Sequence, residues 1–257
     1  MGKYFTVEVK PTIAASLQTG AFGVNDILFD WTAFDIPKGS KKLIGLTMLT
    51  RGADGADQSD TDDVNLLFAK SIDGEAPASL GTVNAAVTTF GWARNLLGLM
   101  QVDGEITGIG GDLVFMDIHT QPGGVNTKHS GAPSLVLTGE PDSGVNVGYD
   151  KLYVAGLSGG SFDGSTTVIA RGGEAAGVTV VETDAGSDDD PNAELKFVPG
   201  DVLHSATDDV LGTVKSIGAF GSSKQDITFT APTPDIIADD EEIYNIHPIT
   251  FIFQFEA

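Results

Sequence analysis

The chain has 257 residues, 41% of them hydrophobic, with 33 glycines, no cysteine and a formal net charge of −22. That length supports one large β domain or two modest ones. The missing thiols exclude disulfide staples, thiolate metal sites and cysteine nucleophiles, and so strong an acidic excess repels phosphate backbones and anionic lipid. Both sides of Asp150 are acidic, at −9 and −13, so neither offers the basic face that a nucleic-acid-binding module needs. The start, MGKYFTVEVK, has no apolar core of the kind a signal peptide needs, and no run of about 18 apolar residues occurs. Neither a leader nor a membrane-spanning helix is expected, and synthesis in a cytoplasm is.

Frequent Gly, Thr and Val favour short strands joined by tight turns, because Gly is costly inside regular elements and β-branched residues suit a pleated surface. Lys3 to Thr12 alternates at the period of two that marks a half-buried strand. Asp26 to Ile36 reads as the next, with Ile27, Phe29, Trp31 and Ala33 on one face and Leu28, Asp30, Thr32 and Phe34 on the other; Trp31 is expected in the core. Pro37 to Ser40 is a turn, so Lys42 to Arg51 is expected as the antiparallel neighbour of that strand. A loop rich in Asp and Gly, Gly52 to Asp63, precedes a strand at Val64 to Lys70. Thr82 to Leu97 reads either as a loop lined by Phe90 and Trp92 or as holding a short helix near Ala93 to Leu97. Strands are expected at Gly98 to Thr107, Asp112 to Thr120 and Ser134 to Leu137, and a hinge at Gly144 to Gly148.

From Lys151 the texture changes to short strands a few residues apart: Lys151 to Gly156, Thr166 to Arg171, Val178 to Thr183, Ala193 to Val198, Asp201 to His204, Leu211 to Ile217 and Asp226 to Thr230. Such strands close most economically into a small barrel, because closure removes unpaired edges. Pro199-Gly200 makes a turn there and Gly212 permits a bend. Glu242 to Ala257 alternates again as a closing strand, and its best partner by composition is the other terminus, Lys3 to Thr12. The fold expected is all-β: a jelly-roll-like β-sandwich from residues 1–148 and 241–257, with a small β-barrel domain inserted at 149–240.

The stretches LFDWTAFDI at Leu28 to Ile36, PKGSKKLIGLTMLTRG after it, VNLLFAKS and SLGTVNAA resemble virion structural proteins of marine and other environmental tailed bacteriophages. The later stretch FVPGDVLHSATDDVLGTVKSI with DITFTA is similar to a small barrel that recurs in phage head and decoration proteins. The first resemblance spans about the first 140 residues and the second about 40. Neither motif is a catalytic signature. The resemblance implies a structural protein of the virion, a capsid decoration or cement protein stabilising the head. Its partners would be the major capsid protein or other virion proteins, in a homo-oligomer that fits a trimer, with no nucleic acid and no membrane. A tail or fibre-tip adhesin binding a host receptor or glycan is the alternative.

No constellation for chemistry stands out. The four histidines, His119, His129, His204 and His247, have no metal-ligand spacing. Two acidic loops, Asp54–Asp63 (Asp54, Asp57, Asp60, Asp62 and Asp63) and Asp184–Asp190 (Asp184, Asp188, Asp189 and Asp190), could offer carboxylates to calcium, which takes about six to eight oxygens. Neither has the ordered spacing of an EF-hand, and solvated acidic loops are the preferred reading. Gly108 to Gly111 and Gly156 to Gly160 lie between strands instead of opening a helix, so they read as turns rather than phosphate cradles. No catalytic, cofactor-binding or metal residue is assigned, no cofactor is expected, and the chain is not expected to be an enzyme.

Overall fold

The computed structural model describes residues 3–51, 63–102, 107–108, 113–119, 135–141, 148–160, 162, 164, 168–184, 196–221 and 224–257. In chain order these form β1 (Tyr4–Val9), a 3-10 turn at Ala15–Leu17, β2 (Ile27–Pro37), β3 (Lys41–Arg51), β4 (Val64–Lys70), a 3-10 turn at Gly91–Arg94, β5 (Leu96–Val102), β6 (Thr107–Gly108) and β7 (Leu113–His119). Then follow β8 (Leu135–Leu137), β9 (Glu140–Pro141), β10 (Tyr149–Ser158), β11 (Ile169–Ala170), β12 (Val180–Asp184), β13 (Val202–Ser205), β14 (Val210–Ile217), β15 (Lys224–Phe229), β16 (Ile243–Asn245) and β17 (Ile249–Glu256). The chain is all-β, and among the described residues no helix is long and apolar enough to cross a membrane.

Two sheets face each other. One runs β1-β17-β3-β7-β6, with β8 on the end of β3, and the other β2-β10-β4-β5, with β9 beside β10. Taken in chain order, the eight long strands alternate between the sheets except for the β4–β5 pair within the second, which is the connectivity of a jelly roll. The chain ends pair as expected: β1 and β17 are antiparallel, from Tyr4 opposite Glu256 to Val9 opposite Phe251. On β17 every second residue is buried, and Ile249, Phe251, Phe253 and Phe255 enter one core with Phe29, Phe34 and Phe68 of the opposite sheet. Burying each such ring contributes about 1.5–3 kcal/mol. The hairpin expected between β2 and β3 does not form. The turn after Pro37 is a corner that carries the chain from one sheet to the other, so that Phe34 and Leu43 approach the same core from opposite sides.

A bulge corrects the face assignment on β2. Opposite β10, Thr32 pairs with Val154 but Phe29 pairs with Gly156, so β2 carries an extra residue between them. A second extra residue follows, since Phe29 and Ile27 lie opposite the consecutive Gly156 and Leu157, and with the phase shifted twice Leu28, Phe29, Phe34 and Ile36 all reach the main core while Ile27 and Trp31 go to the outer face. Gly156 makes room for this. A Cβ there would lie 2.7 Å from Phe29 Cζ, inside contact distance.

The third sheet runs β11-β12-β15-β14-β13-β16 and nearly closes on itself: Ile169 bridges Glu242, and the Ala170 N–H donates to Glu241 O at 2.8 Å. It surrounds its own core of Val168, Val181, Leu203, Leu211, Ile227, Phe229 and neighbours. Gly200 and Gly212 sit at φ +100° and +128°, supplying the turn and bend expected of them. Two boundaries move. Tyr149–Ser158, expected to open the barrel, is instead a central sandwich strand between β2 and β4. The single closing strand expected from Glu242 is two, because Pro248 falls between β16 of the barrel-like sheet and β17 of the sandwich, and proline removes a ladder donor. Lys196 to Val198, expected as part of a strand, lie outside one.

Candidate functional surface

The structure scatters the residues singled out for chemistry. His204 lies on β13 opposite Tyr244, and His119 ends β7 at the far side of the sandwich. His247 Nδ1 meets Pro11 O at 3.2 Å; since a carbonyl only accepts, that nitrogen carries the proton. His129 lies outside the described residues, as do Asp54, Asp57, Asp60 and Asp62 of the first acidic loop and Asp188, Asp189 and Asp190 of the second. Of the remaining two, Asp63 accepts the Gly159 N–H on its backbone oxygen at 2.6 Å, and Asp184 pairs with Arg171 Nε at 3.4 Å. Among the described residues no three His, Cys, Asp or Glu side chains gather where they could hold a metal.

The carboxylates with altered acidity act as ties. Burial opposes ionisation of Asp208 most strongly, yet hydrogen bonds from the Ser16 hydroxyl and the Ser16 and Ala15 N–H groups outweigh it and hold the carboxyl below its ordinary value. The Ser16 Oγ–H and N–H donate to it at 2.5 and 3.0 Å, joining the turn after β1 to the turn between β13 and β14. The Gly74 N–H, helped by Ser71, Asp73 and Lys70, lowers Glu140 against the cost of its desolvation. Its two oxygens accept Asp73 N–H at 3.1 Å and Gly74 N–H at 3.0 Å and pin the turn after β4 to β9. Lys224 donates to Glu182 across β15 and β12, which lowers the acid and raises the amine.

A cavity of about 80 Å³ opens where the barrel-like sheet meets the sandwich, lined by Gln18, Thr50, Lys196, Asp201, Asn245 and His247 among others. That is room for several waters. Gln18 is buried and its Nε2 donates to Ile13 O and Asn245 O, so this polar lining also joins the two sheets' connections. None of the carboxylates with altered acidity lines it.

A different surface stands out by what it lacks. From Ala76 to Val102, 27 consecutive residues contain no Asp or Glu in a chain that carries 36, and Arg94 is their one charge. This stretch folds over the outer face of the second sheet, where Leu80, Val83, Val87 and Trp92 cover Ile27, Trp31, Leu67 and Ala155. Asp30 of β2, beneath it, accepts the Leu80 N–H at 3.2 Å. Trp31 and Trp92, the chain's two tryptophans, lie 6.2 Å apart, and Phe90 flanks Trp92 at 6.4 Å. Their indole N–H groups donate inward, to Ala78 O at 2.8 Å and Thr89 O at 2.7 Å, so only ring surface is presented. Phe90 is 73% exposed, Leu99 49% and Leu96 38%, which places three large apolar side chains in solvent within ten residues. Trp31 is thus partly buried against the smaller outer cluster rather than set in the main core. Periodicity passed over this patch; the gap in the acidic residues would have flagged it. No protein-family model matches the chain, and a search of curated proteins also finds no match.

Proposed function

We propose that this chain is a structural subunit of a tailed-bacteriophage virion, acting as a capsid decoration or cement protein, and that it works as a homo-oligomer on the major capsid protein. The observation that carries this is the use made of charge. The carboxylates held below their usual range each close on a nearby N–H, hydroxyl or amine and join separate stretches of chain. They serve packing rather than a reaction. A jelly roll is compatible with shells and with much else, so the fold supports the reading by analogy only. The likeness of Leu28 to Ile36 and its following stretches to virion proteins adds the particle. Stabilisation would follow from mass action, since only the assembled shell offers the sites to which the subunit binds. A trimer fits local threefold axes of a capsid lattice.

Electron microscopy of native particles tests the reading. Density for this fold at regular head positions supports it, and absence from purified particles overturns it. Density at the tail end favours the second reading, a tail or fibre-tip adhesin, for which the partly buried Trp31 and Trp92 with Phe90 offer ring faces to a receptor or glycan. Loss of binding with chelator would make that adhesion calcium-dependent.

A further inference from the structure

We propose that the acid-free segment from Phe90 to Leu99, together with the edge of β5, is where two copies of this chain meet. A surface that meets its own copy must not repel itself, because the same patch with the same net charge lies on both sides of the twofold axis. In a chain of net charge −22 most surfaces fail that condition, whereas Ala76 to Val102 carries only Arg94. A basic partner would select the opposite kind of surface, one rich in Asp and Glu, so the missing acids favour a partner as acidic as this chain. The apolar contribution comes from Phe90, Leu96 and Leu99, all in solvent.

The backbone agrees with the side chains. β5 ends its sheet, paired to β4 from Val64 opposite Val102 to Ala69 opposite Leu96, and among the described residues no strand pairs its other edge. An unpaired edge is a template for a second strand. Antiparallel pairing of β5 with the β5 of a second copy would continue the sheet through both and bring the two Leu99 side chains beside the seam, with Phe90 on the segment that leads into β5. The inference adds to the subunit reading above a twofold contact between copies, distinct from any threefold contact within a trimer. It rests on that reading only for its biological setting, because its test uses the purified chain.

The test is sedimentation of the full chain across concentration and salt. The expected result is a reversible dimer that tightens several-fold as salt rises from about 0.05 to about 0.5 M, because screening relieves repulsion between like-charged copies. Phe90→Asp and Leu99→Asp should each weaken it at least about ten-fold, as like charge is added on both sides of the contact. Phe90 lies outside any strand and is mostly exposed, so its variant should keep the wild-type circular dichroism and melting temperature. Ile236→Asp, 68% exposed on the barrel side, should leave association unchanged. A chain that stays monomeric at every concentration and salt overturns the proposal, as does a dimer indifferent to both aspartates. A monomer that binds neutral oligosaccharides through Phe90 also overturns it and points to a glycan platform. Failure here leaves the particle test untouched, and absence from particles leaves the dimer standing.

Discussion

The sandwich and the barrel-like sheet solve the same problem, a closed apolar interior, by different means. Sandwich strands find partners far along the chain: β1 pairs β17, and β10 lies between β2 and β4. Its core is a lattice of rings in which Phe253 touches Phe34, Phe68, Phe251 and Phe255 at centroid distances of 5.4 to 6.5 Å. The barrel-like sheet mostly joins strands that follow one another, β11 with β12, β13 with β14 and β14 with β15, around a largely aliphatic core. Sequence-distant pairing makes the first slow to form and dependent on both chain ends. Local pairing makes the second depend on its turns and on the seam at Ile169 and Glu242.

Truncating the central ring of each core tests that contrast with the largest effect. Phe253→Ala should cost about 3–5 kcal/mol and Phe229→Ala about the same. In chemical denaturation followed by two probes, each should move one of two transitions; if both move together, the sheets unfold as one unit and the contrast fails.

Glycine separates the two regions next. Gly156→Ala drives a methyl into Phe29 and should cost about 1–3 kcal/mol through overpacking of the sandwich. Gly212→Ala in the barrel-like sheet meets nothing closer than Phe229 Cδ1 at 3.5 Å, but its φ of +128° strains any side chain, for roughly 1 kcal/mol. Pairing the Gly156 substitution with Phe29→Leu should recover stability, whereas a smaller Phe229 should not rescue Gly212→Ala.

The junction between the regions gives smaller effects. Ser16→Ala removes the hydroxyl bond to Asp208 and should cost about 0.5–1 kcal/mol, since the pair is exposed. Its pH dependence has a definite sign. The Asp208 carboxyl titrates below its ordinary 3.8 in the folded chain, so its contribution is present above that value and is lost as pH falls through the depressed folded one. The stability difference between wild type and Ser16→Ala should therefore be full at about pH 6 and shrink below about pH 3.8, by less than about 1 kcal/mol. A difference that grows on acidification would refute the tie.

Much of the architecture was legible in the residues. The alternation of Tyr4 to Val9 and of Ile249 to Glu256 announces two half-buried strands, and their pairing follows because each needs a neighbour. The barrel turns at Gly200 and Gly212 were readable because only glycine rests easily at positive φ. Trp31 was not. Two extra residues between Thr32 and Ile27 of β2 separate the face of Trp31 from that of Phe29, and a bulge leaves no mark on hydrophobic periodicity. Tyr149–Ser158 was misplaced for another cause: buried residues alternate there with half-buried ones over most of its length, and a period of two fits a strand of either sheet.

By itself the amino-acid order determined the class, the pairing of the ends, the turns and the exclusion of thiol chemistry, because composition, local period and charge act at short range or on the whole chain at once. Only the tertiary structure decided that β2 and β3 face each other across a core, that β10 serves the sandwich, and that an acid-free stretch becomes one outward surface with two tryptophans in contact. Those outcomes depend on which distant strands compete for the same edge, and that competition is settled by burial summed over the whole core rather than by any one segment.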